Sequence, residues 1–219
     1  MPKSGGPEPG LAAIGAVILA AGSGRRIGTP KLRLEAAGRS YLELILDRLG
    51  EAEIAPVACV VAADQSAWAG PRLAAASRMG DPRPDGAPDR PCAAEWSLLV
   101  NPHPELGMFS SVQLGVAALR SCPGLFIIPV DHPFVALPTY LQLKQAFQHH
   151  SDAVIKPAFH GRPGHPVVLP REALAQLLAA AADATLQQVL WQSGIRQFLV
   201  EAGDAGVLRN INRQGDIEG

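Results

Sequence analysis

The chain has 219 residues, 47% of them hydrophobic and 18% charged, with 22 Gly and 20 Pro; that supports one globular domain with a sizeable core and excludes wholesale disorder. The 19 basic and 20 acidic residues leave a net charge of −1, which excludes a general nucleic-acid binder with its basic excess and confines any polyanion site to a local cluster. Three widely spaced cysteines, Cys59, Cys92 and Cys122, form no CxxC pair, which argues against a disulfide framework or zinc knuckle and for a reducing cytoplasm.

Met1 to Gly10 (MPKSGGPEPG) is rich in Pro and Gly, so residues 1–12 read as a disordered tail. The apolar run Leu11 to Ala21 is too short to span a bilayer. Its composition is that of a signal-peptide core, yet only Lys3 precedes it and a Gly-rich basic loop follows. A buried strand over Gly15 to Ala20 is therefore the preferred reading, with the signal peptide as the alternative. Ser40 to Gly50 places Leu42, Ile45, Leu46 and Leu49 at helical spacing, with Ser40 as cap and Gly50 as stop. Val57 to Ala63 reads as a buried strand and Ser66 to Arg78 as a helix. Gly80 to Pro91 holds four prolines and no periodicity, so a Pro-rich insertion is expected near 80–92. Beyond it, strands are expected at Trp96 to Val100, Leu125 to Val130, Ala153 to Lys156 and Val167 to Leu169. Helices are expected at Ser110 to Arg120, Pro138 to His149, Arg171 to Ala182 and Thr185 to Gln192. Gln197 to Glu201 and Val207 to Ile211 read as extended.

Alternating strands and helices predict an α/β domain over residues 13–219, with a mostly parallel sheet and helices on both faces. Ligands on such sheets gather at the carboxyl ends of strands, and the loops after the apolar runs carry unusual chemistry. The first is Gly22-Ser23-Gly24-Arg25-Arg26-Ile27-Gly28-Thr29-Pro30-Lys31. Its glycines let backbone N–H groups approach an anion, and Arg25, Arg26 and Lys31 add charge suited to a triphosphate. A surface turn with scattered arginines is the plainer alternative. A Walker A loop is excluded because no Gly-Lys-Ser/Thr occurs. A dinucleotide fingerprint fits poorly: the spacing is GxGxxxG, and the nearest acid, Asp64, lies about 40 residues on where ~20 is expected.

The second loop is Asp131-His132-Pro133. A lone carboxylate after an apolar strand suits Mg2+; helix capping is an equal alternative. The third, Pro157 to Pro166 (PAFHGRPGHP), holds two histidines and an arginine that can hold an anionic acceptor, or simply forms a turn before a strand. A two-histidine metal site lacks a third ligand nearby. The fourth, Asn101 to Gly115, offers Ser110 and Ser111 at a strand-to-helix turn, as N–H and hydroxyl donors or as a cap.

The stretch Leu19 to Lys31 resembles L-A-A-G-x-x-x-R-x-G-x-x-K, the signature of the GT-A-type nucleotidyltransferases, and most of all the MobA-like NTP transferases, which include the molybdenum-cofactor cytidylyl- and guanylyltransferases. The resemblance runs from about Ala16 to Asp216, through four motifs in family order. It implies a three-layer Rossmann-like fold of the GT-A nucleotide-diphospho-sugar transferase type. It implies that Leu19, Ala20, Ala21, Gly22, Ser23, Gly24 and Arg25 bind the nucleotide, that Arg26 and Lys31 contact the triphosphate, and that Ser110 and Ser111 touch base and ribose. Asp131 would hold Mg2+, with Mn2+ as substitute, and would be catalytic together with Arg26 and Lys31. Gly164 and His165 would lie beside the acceptor. The family usually ends its catalytic region with Asp-x-Asp-Thr-Pro-x-Asp, where this chain has Asn210-Ile211-Asn212-Arg213-Gln214-Gly215-Asp216. Asn212 is the second metal-ligand candidate, with less charge than the family's acid. The implied reaction moves an NMP, CMP in first place, from an NTP to a phosphorylated acceptor, molybdopterin in first place, releasing pyrophosphate in the cytoplasm. A molybdoenzyme or its chaperone would be the protein partner, with no nucleic acid and no membrane involved. Alternatives are a sugar phosphate or other phosphorylated alcohol as acceptor, a non-catalytic nucleotide-binding homologue, and a dinucleotide-dependent oxidoreductase.

Overall fold

The computed structural model describes residues 14–22, 28–79 and 96–211; the tail over 1–12 and the insertion near 80–92 lie outside these residues. The first strand, β1 (Gly15–Ala20), is fully buried. A single 3-10 turn at Lys31–Arg33 leads into a small hairpin, β2 (Glu35–Ala36) and β3 (Arg39–Ser40), which the sequence pattern does not reveal. Helix α1 (Tyr41–Glu51) starts in a capping box: the Ser40 hydroxyl accepts from the Glu43 N–H while the Glu43 carboxylate accepts from the Ser40 N–H. The helix passes through Gly50 to Glu51, one residue beyond the expected stop, and is capped by Ala52.

The chain continues with β4 (Val57–Ala62), α2 (Ser66–Met79), β5 (Trp96–Asn101), α3 (Met108–Ala118), β6 (Gly124–Pro129) and α4 (Leu137–His149). It ends with β7 (Val154–Phe159), β8 (Arg162–Pro163), β9 (Val167–Pro170), α5 (Arg171–Ala179), α6 (Leu186–Gln192) and β10 (Gln197–Glu201). Strand β7 runs three residues past the expected end, through Pro157. Strand β9 is bridged to β7 only at Ile155, so beyond that point the β7 flank tolerates a residue without an N–H. Val207 to Ile211, expected to be extended, instead enters a 3-10 turn at Ala205–Leu208. Its backbone groups bond to loops rather than to a strand.

The main sheet has the order β10-β7-β9-β6-β1-β4-β5, with β8 added to β7. Strands β4, β1, β5 and β6 are mutually parallel, β9 is antiparallel to both β6 and β7, and β10 is parallel to β7. The carboxyl ends of β1, β4, β5, β6, β7 and β10 therefore meet at one edge of the sheet. The start of β9 lies at that edge too.

Alternate residues of each strand feed two cores. Ala16, Ile18, Cys59, Val61, Phe126 and Ile128 pack under α1, α2 and α4. Val17, Leu19, Val60, Leu125 and Ile127 pack under α3, α5 and α6. The sheet is thus the middle of three layers, and its continuous apolar runs reflect burial on both faces. Each fully buried Leu or Ile contributes about 1.5–3 kcal/mol relative to exposure. Burial also pushes the Cys59 thiol up to about 12, which keeps it a packing group rather than a nucleophile or ligand. Among the described residues no helix is long and apolar enough to cross a membrane.

Candidate active site

Strand order reverses at β1: the chain moves outward through β4 and β5, then returns to place β6 on the other flank of β1. This is the topological switch point where open α/β sheets leave a crevice. The pairing extends past the strand ends, because the Val130 N–H donates to the Leu19 carbonyl at 3.1 Å. The loops that follow β1 and β6 therefore leave the sheet side by side.

On the β1 side, the side chains of Leu19, Ala20 and Ala21 are buried, so these residues can offer a ligand only main chain. A Cβ added at Gly22 would meet nothing within 4 Å, so the backbone there lies open. Ser23, Gly24, Arg25 and Arg26 lie outside the described residues. The loop returns at Lys31, whose ammonium donates to Asp131 Oδ2 at 2.6 Å across 100 residues of sequence. Both side chains are about four-fifths covered, at 20% and 19% exposure, so this contact belongs to the crevice. The capping alternative for Asp131 is not realised: α4 begins at Leu137 and its N-cap is Ala136.

Asp131 offers hard carboxylate oxygens already balanced by a cation. That donor chemistry fits Mg2+, which binds through one or two carboxylates plus substrate phosphates and waters. No group of three or more His, Cys, Asp or Glu suited to a metal ion occurs among the described residues. The described residues therefore build no caged transition-metal site. Ile211 donates its N–H to the Asp131 carbonyl at 3.0 Å, bringing Ile211 to this loop. Asn212, the next residue, lies outside the described residues.

Two imidazoles back the aspartate. The His132 and His165 rings stack at a tilt, centroids 4.7 Å apart, and the Nδ1 atom of each is buried without a partner. Burial holds His132 below the ordinary histidine range; the Asp131 charge opposes this and Lys31 adds to it. Burial and the neighbouring His132 push His165 down to about 4. Both rings are neutral near pH 7. A neutral imidazole offers one donor and one acceptor, so His165 would meet an anionic acceptor by hydrogen bonding.

Gly164 has a packing reason to be glycine, because a Cβ there would overlap the Val207 carbonyl oxygen. Its N–H donates to the Pro157 carbonyl at 2.8 Å. The preceding hairpin turn, with His160 at φ 51° and Gly161 at φ 73°, is gripped by Glu201, whose carboxylate accepts from the His160 and Gly161 N–H groups at 2.6 and 3.1 Å.

On the β5 side, Asn101 is buried and organises the turn into α3. Its Nδ2 donates to the Ser110 and Ser111 hydroxyls, both at 2.9 Å, and its Oδ1 accepts from the His103 N–H at 2.8 Å. Gly107, at φ 91°, is the N-cap of α3 with no side-chain cap bond, so neither serine caps the helix. Ser110 is partly exposed at the edge. Ser111 is buried and supports the turn from beneath, contrary to its expected exposure as a donor.

Sequence reasoning missed Asp204 and Glu201. The only local signal for Asp204 is the Asp-Ala-Gly spacing of an Asx turn, seen in the 2.8 Å bond from the Gly206 N–H to Asp204 Oδ1.

A family model described as the MobA-like NTP transferase domain matches residues 16–197. Among solved structures, Rv0371c from Mycobacterium tuberculosis H37Rv is 19% identical with a TM-score of 0.68, covering 95% of this chain and 97% of that one. It is also known as a complex with manganese. A 4-diphosphocytidyl-2C-methyl-D-erythritol synthase from Anaerococcus prevotii is 18% identical with a TM-score of 0.70, covering 94% and 95%. Molybdopterin-guanine dinucleotide biosynthesis protein A from Archaeoglobus fulgidus is 18% identical with a TM-score of 0.63, covering 94% and 95%. At these identities the likeness is one of fold. No curated protein matches the chain.

Proposed function

This chain belongs to the MobA-like NTP transferase family, and from that premise we propose that it moves a nucleotidyl group, CMP in first place, from an NTP to a phosphorylated small molecule, molybdopterin in first place. The observation that carries the proposal is the Lys31–Asp131 pair, 2.6 Å apart at the switch point of the sheet. It couples the basic glycine loop to the carboxylate that would hold Mg2+ or Mn2+.

An acceptor phosphate oxygen attacks the α-phosphorus in line. A new P–O bond forms, the α–β P–O bond breaks, and pyrophosphate leaves with the charge. The acceptor oxygen is already ionised near neutral pH, so no Ser/His/Asp triad is required; catalysis rests on positioning and charge stabilisation. Leu19, Ala20, Ala21 and Gly22, with Ser23, Gly24 and Arg25, would bind the phosphates. Arg26 and Lys31 neutralise the departing pyrophosphate. Asp131, with Asn212 as second oxygen ligand, would hold the divalent ion, which supplies a Lewis acid for the phosphate oxygens. Ser110, steadied by Asn101, faces the nucleoside, and Ser111 holds that turn. Gly164 shapes the acceptor loop, and neutral His165 meets the acceptor by hydrogen bonding. An NTP donor sets the reaction in the cytoplasm, and a molybdoenzyme or its chaperone would receive a dinucleotide cofactor.

A phosphorylated alcohol is the second acceptor class, since a chain of the same fold is a 4-diphosphocytidyl-2C-methyl-D-erythritol synthase. The test is a thermal-shift panel of ATP, CTP, GTP, UTP and NAD, each with and without Mg2+, followed by pyrophosphate release with molybdopterin and with phosphorylated alcohols. A ligand at 100 times its dissociation constant stabilises by about 2.7 kcal/mol. A metal-dependent shift with CTP and acceptor-dependent pyrophosphate release support the reading. Absence of any NTP shift rejects it.

A further inference from the structure

The segment after β10 runs antiparallel along the loop that carries Asp131 and grips it at several points. At one end, the Ile211 N–H donates to the Asp131 carbonyl at 3.0 Å. In the middle, the Arg209 guanidinium lies over the Phe134 ring, 4.4 Å from its centroid, and Gly206 packs so closely that a Cβ would overlap the Phe134 carbonyl oxygen. At the other end, Asp204 Oδ2 accepts from the Ala136 N–H at 2.8 Å and from the Thr139 hydroxyl at 2.7 Å. Asp204 Oδ1 turns back onto the Gly206 N–H. The same segment reaches the acceptor loop, because the Val207 carbonyl accepts from the His165 N–H at 2.9 Å.

We propose that Asp204 is a positioning residue, the latch of a clasp over 204–211 that fixes both ends of the Asp131 loop and ties it to the His165 loop. Asp204 touches neither reacting group. It joins the start of α4 to the 3-10 turn, and that turn sets the height of Val207 and Ile211. Three donors on one carboxylate make a charge-assisted fork that an amide cannot reproduce, since only one side-chain oxygen of Asn accepts. The reading of Asp131 as a metal ligand is that of the preceding section; the clasp itself is local geometry, and the two fail separately.

The test compares wild type with Asp204→Asn, Thr139→Val and Thr139→Ser in the full chain. Amide exchange reads the clasp. Asp204→Asn should speed exchange at Ile211 and His165 by about tenfold or more, with the β1 and β4 amides unchanged. Mn2+ binding, followed by the electron paramagnetic resonance of free ion with CTP as probe, reads the consequence: about tenfold weaker binding, the loss typical of removing an outer-shell support. Thr139→Val should shift both readouts in the same direction by less, and Thr139→Ser, which keeps the donor, should restore them. If Asp204→Asn does not fold, the threonine pair decides alone. Unchanged exchange at Ile211 and His165 overturns the clasp, and faster exchange with unchanged Mn2+ affinity overturns its role in positioning Asp131. Wild-type protein that binds no Mn2+ rejects the metal reading, and the exchange data then judge the clasp by themselves.

Discussion

Replacing Lys31 by Met should move metal binding and turnover in opposite directions. The Lys31 ammonium holds Asp131 Oδ2 at 2.6 Å, with both side chains about one-fifth exposed. Exposed ion pairs contribute about 0–1 kcal/mol, and hydrogen bonds to charged groups about 1.5–3 kcal/mol; a pair this covered falls near the junction, about 1.4 kcal/mol. A divalent ion approaching Asp131 without nucleotide must first displace the ammonium. Removing it should therefore tighten Mn2+ binding about tenfold, since 1.4 kcal/mol is one decade. With NTP present, the same ammonium is needed on the phosphates, and its loss should lower turnover by ~10²-fold, as for one preorganised charge-stabilising group. Free Mn2+ is titrated in the absence of nucleotide, and pyrophosphate release is followed separately. Equal or weaker Mn2+ affinity in Lys31→Met would refute the reasoning, because the ammonium and the ion would then not share a carboxylate.

Asp131→Asn should abolish pyrophosphate release; full activity would show that the metal sits elsewhere. Gly164→Ala should destabilise by about 1–3 kcal/mol, because its Cβ meets the Val207 backbone oxygen and a backbone atom yields less easily than a side-chain tip. A melting temperature within a degree of wild type would mean that the 205–208 turn gives way. The pH dependence follows from His165, held at about 4 in the fold against about 6.5 unfolded. Between these values the unfolded chain binds more protons, so this contribution is complete above about 6.5 and is lost as pH falls toward 4, amounting to about 3 kcal/mol at most; His132 shifts in the same direction. Urea midpoints at pH 7, 5.5 and 4.5 should fall more steeply for wild type than for His165→Gln, and identical slopes would count against the buried neutral ring.

The strands of the sheet were legible because both faces are buried: GAVILA and VACVVA carry their burial in composition. The meeting of the β1 and β6 loops was legible too, since the chemistry follows each apolar run and such loops share an edge. Val207 to Ile211 misled because alternation of apolar residues is a local pattern, while a strand needs a neighbour. The partners here are the His165 N–H and the Asp131 carbonyl, neither in a free strand edge. His165 was visible as an imidazole, but its neutrality comes from burial and from His132, 33 positions away in sequence. Asp204 was invisible because two of its three partners lie 65 and 68 residues distant, beyond the reach of any spacing rule.

The asparagines at 210 and 212, where the family resemblance implies aspartates, would acquire a physical meaning from the Lys31 contact. The ammonium already on Asp131 offsets the charge of that carboxylate, so a free divalent ion would find little there to attract it. An NTP carries its own phosphate ligands and the charge to draw Lys31 away from Asp131. The ion and the nucleotide would then be better bound together than either alone, because the phosphates would complete a coordination shell that Mg2+ prefers to share with substrate. With Asn212 as the proposed second ligand, an amide oxygen in place of a carboxylate would weaken the protein's hold on the free ion more than on the ion–nucleotide complex. On the proposed reading the asparagines would change how the metal arrives without removing the lysine–aspartate pair on which phosphate transfer would depend.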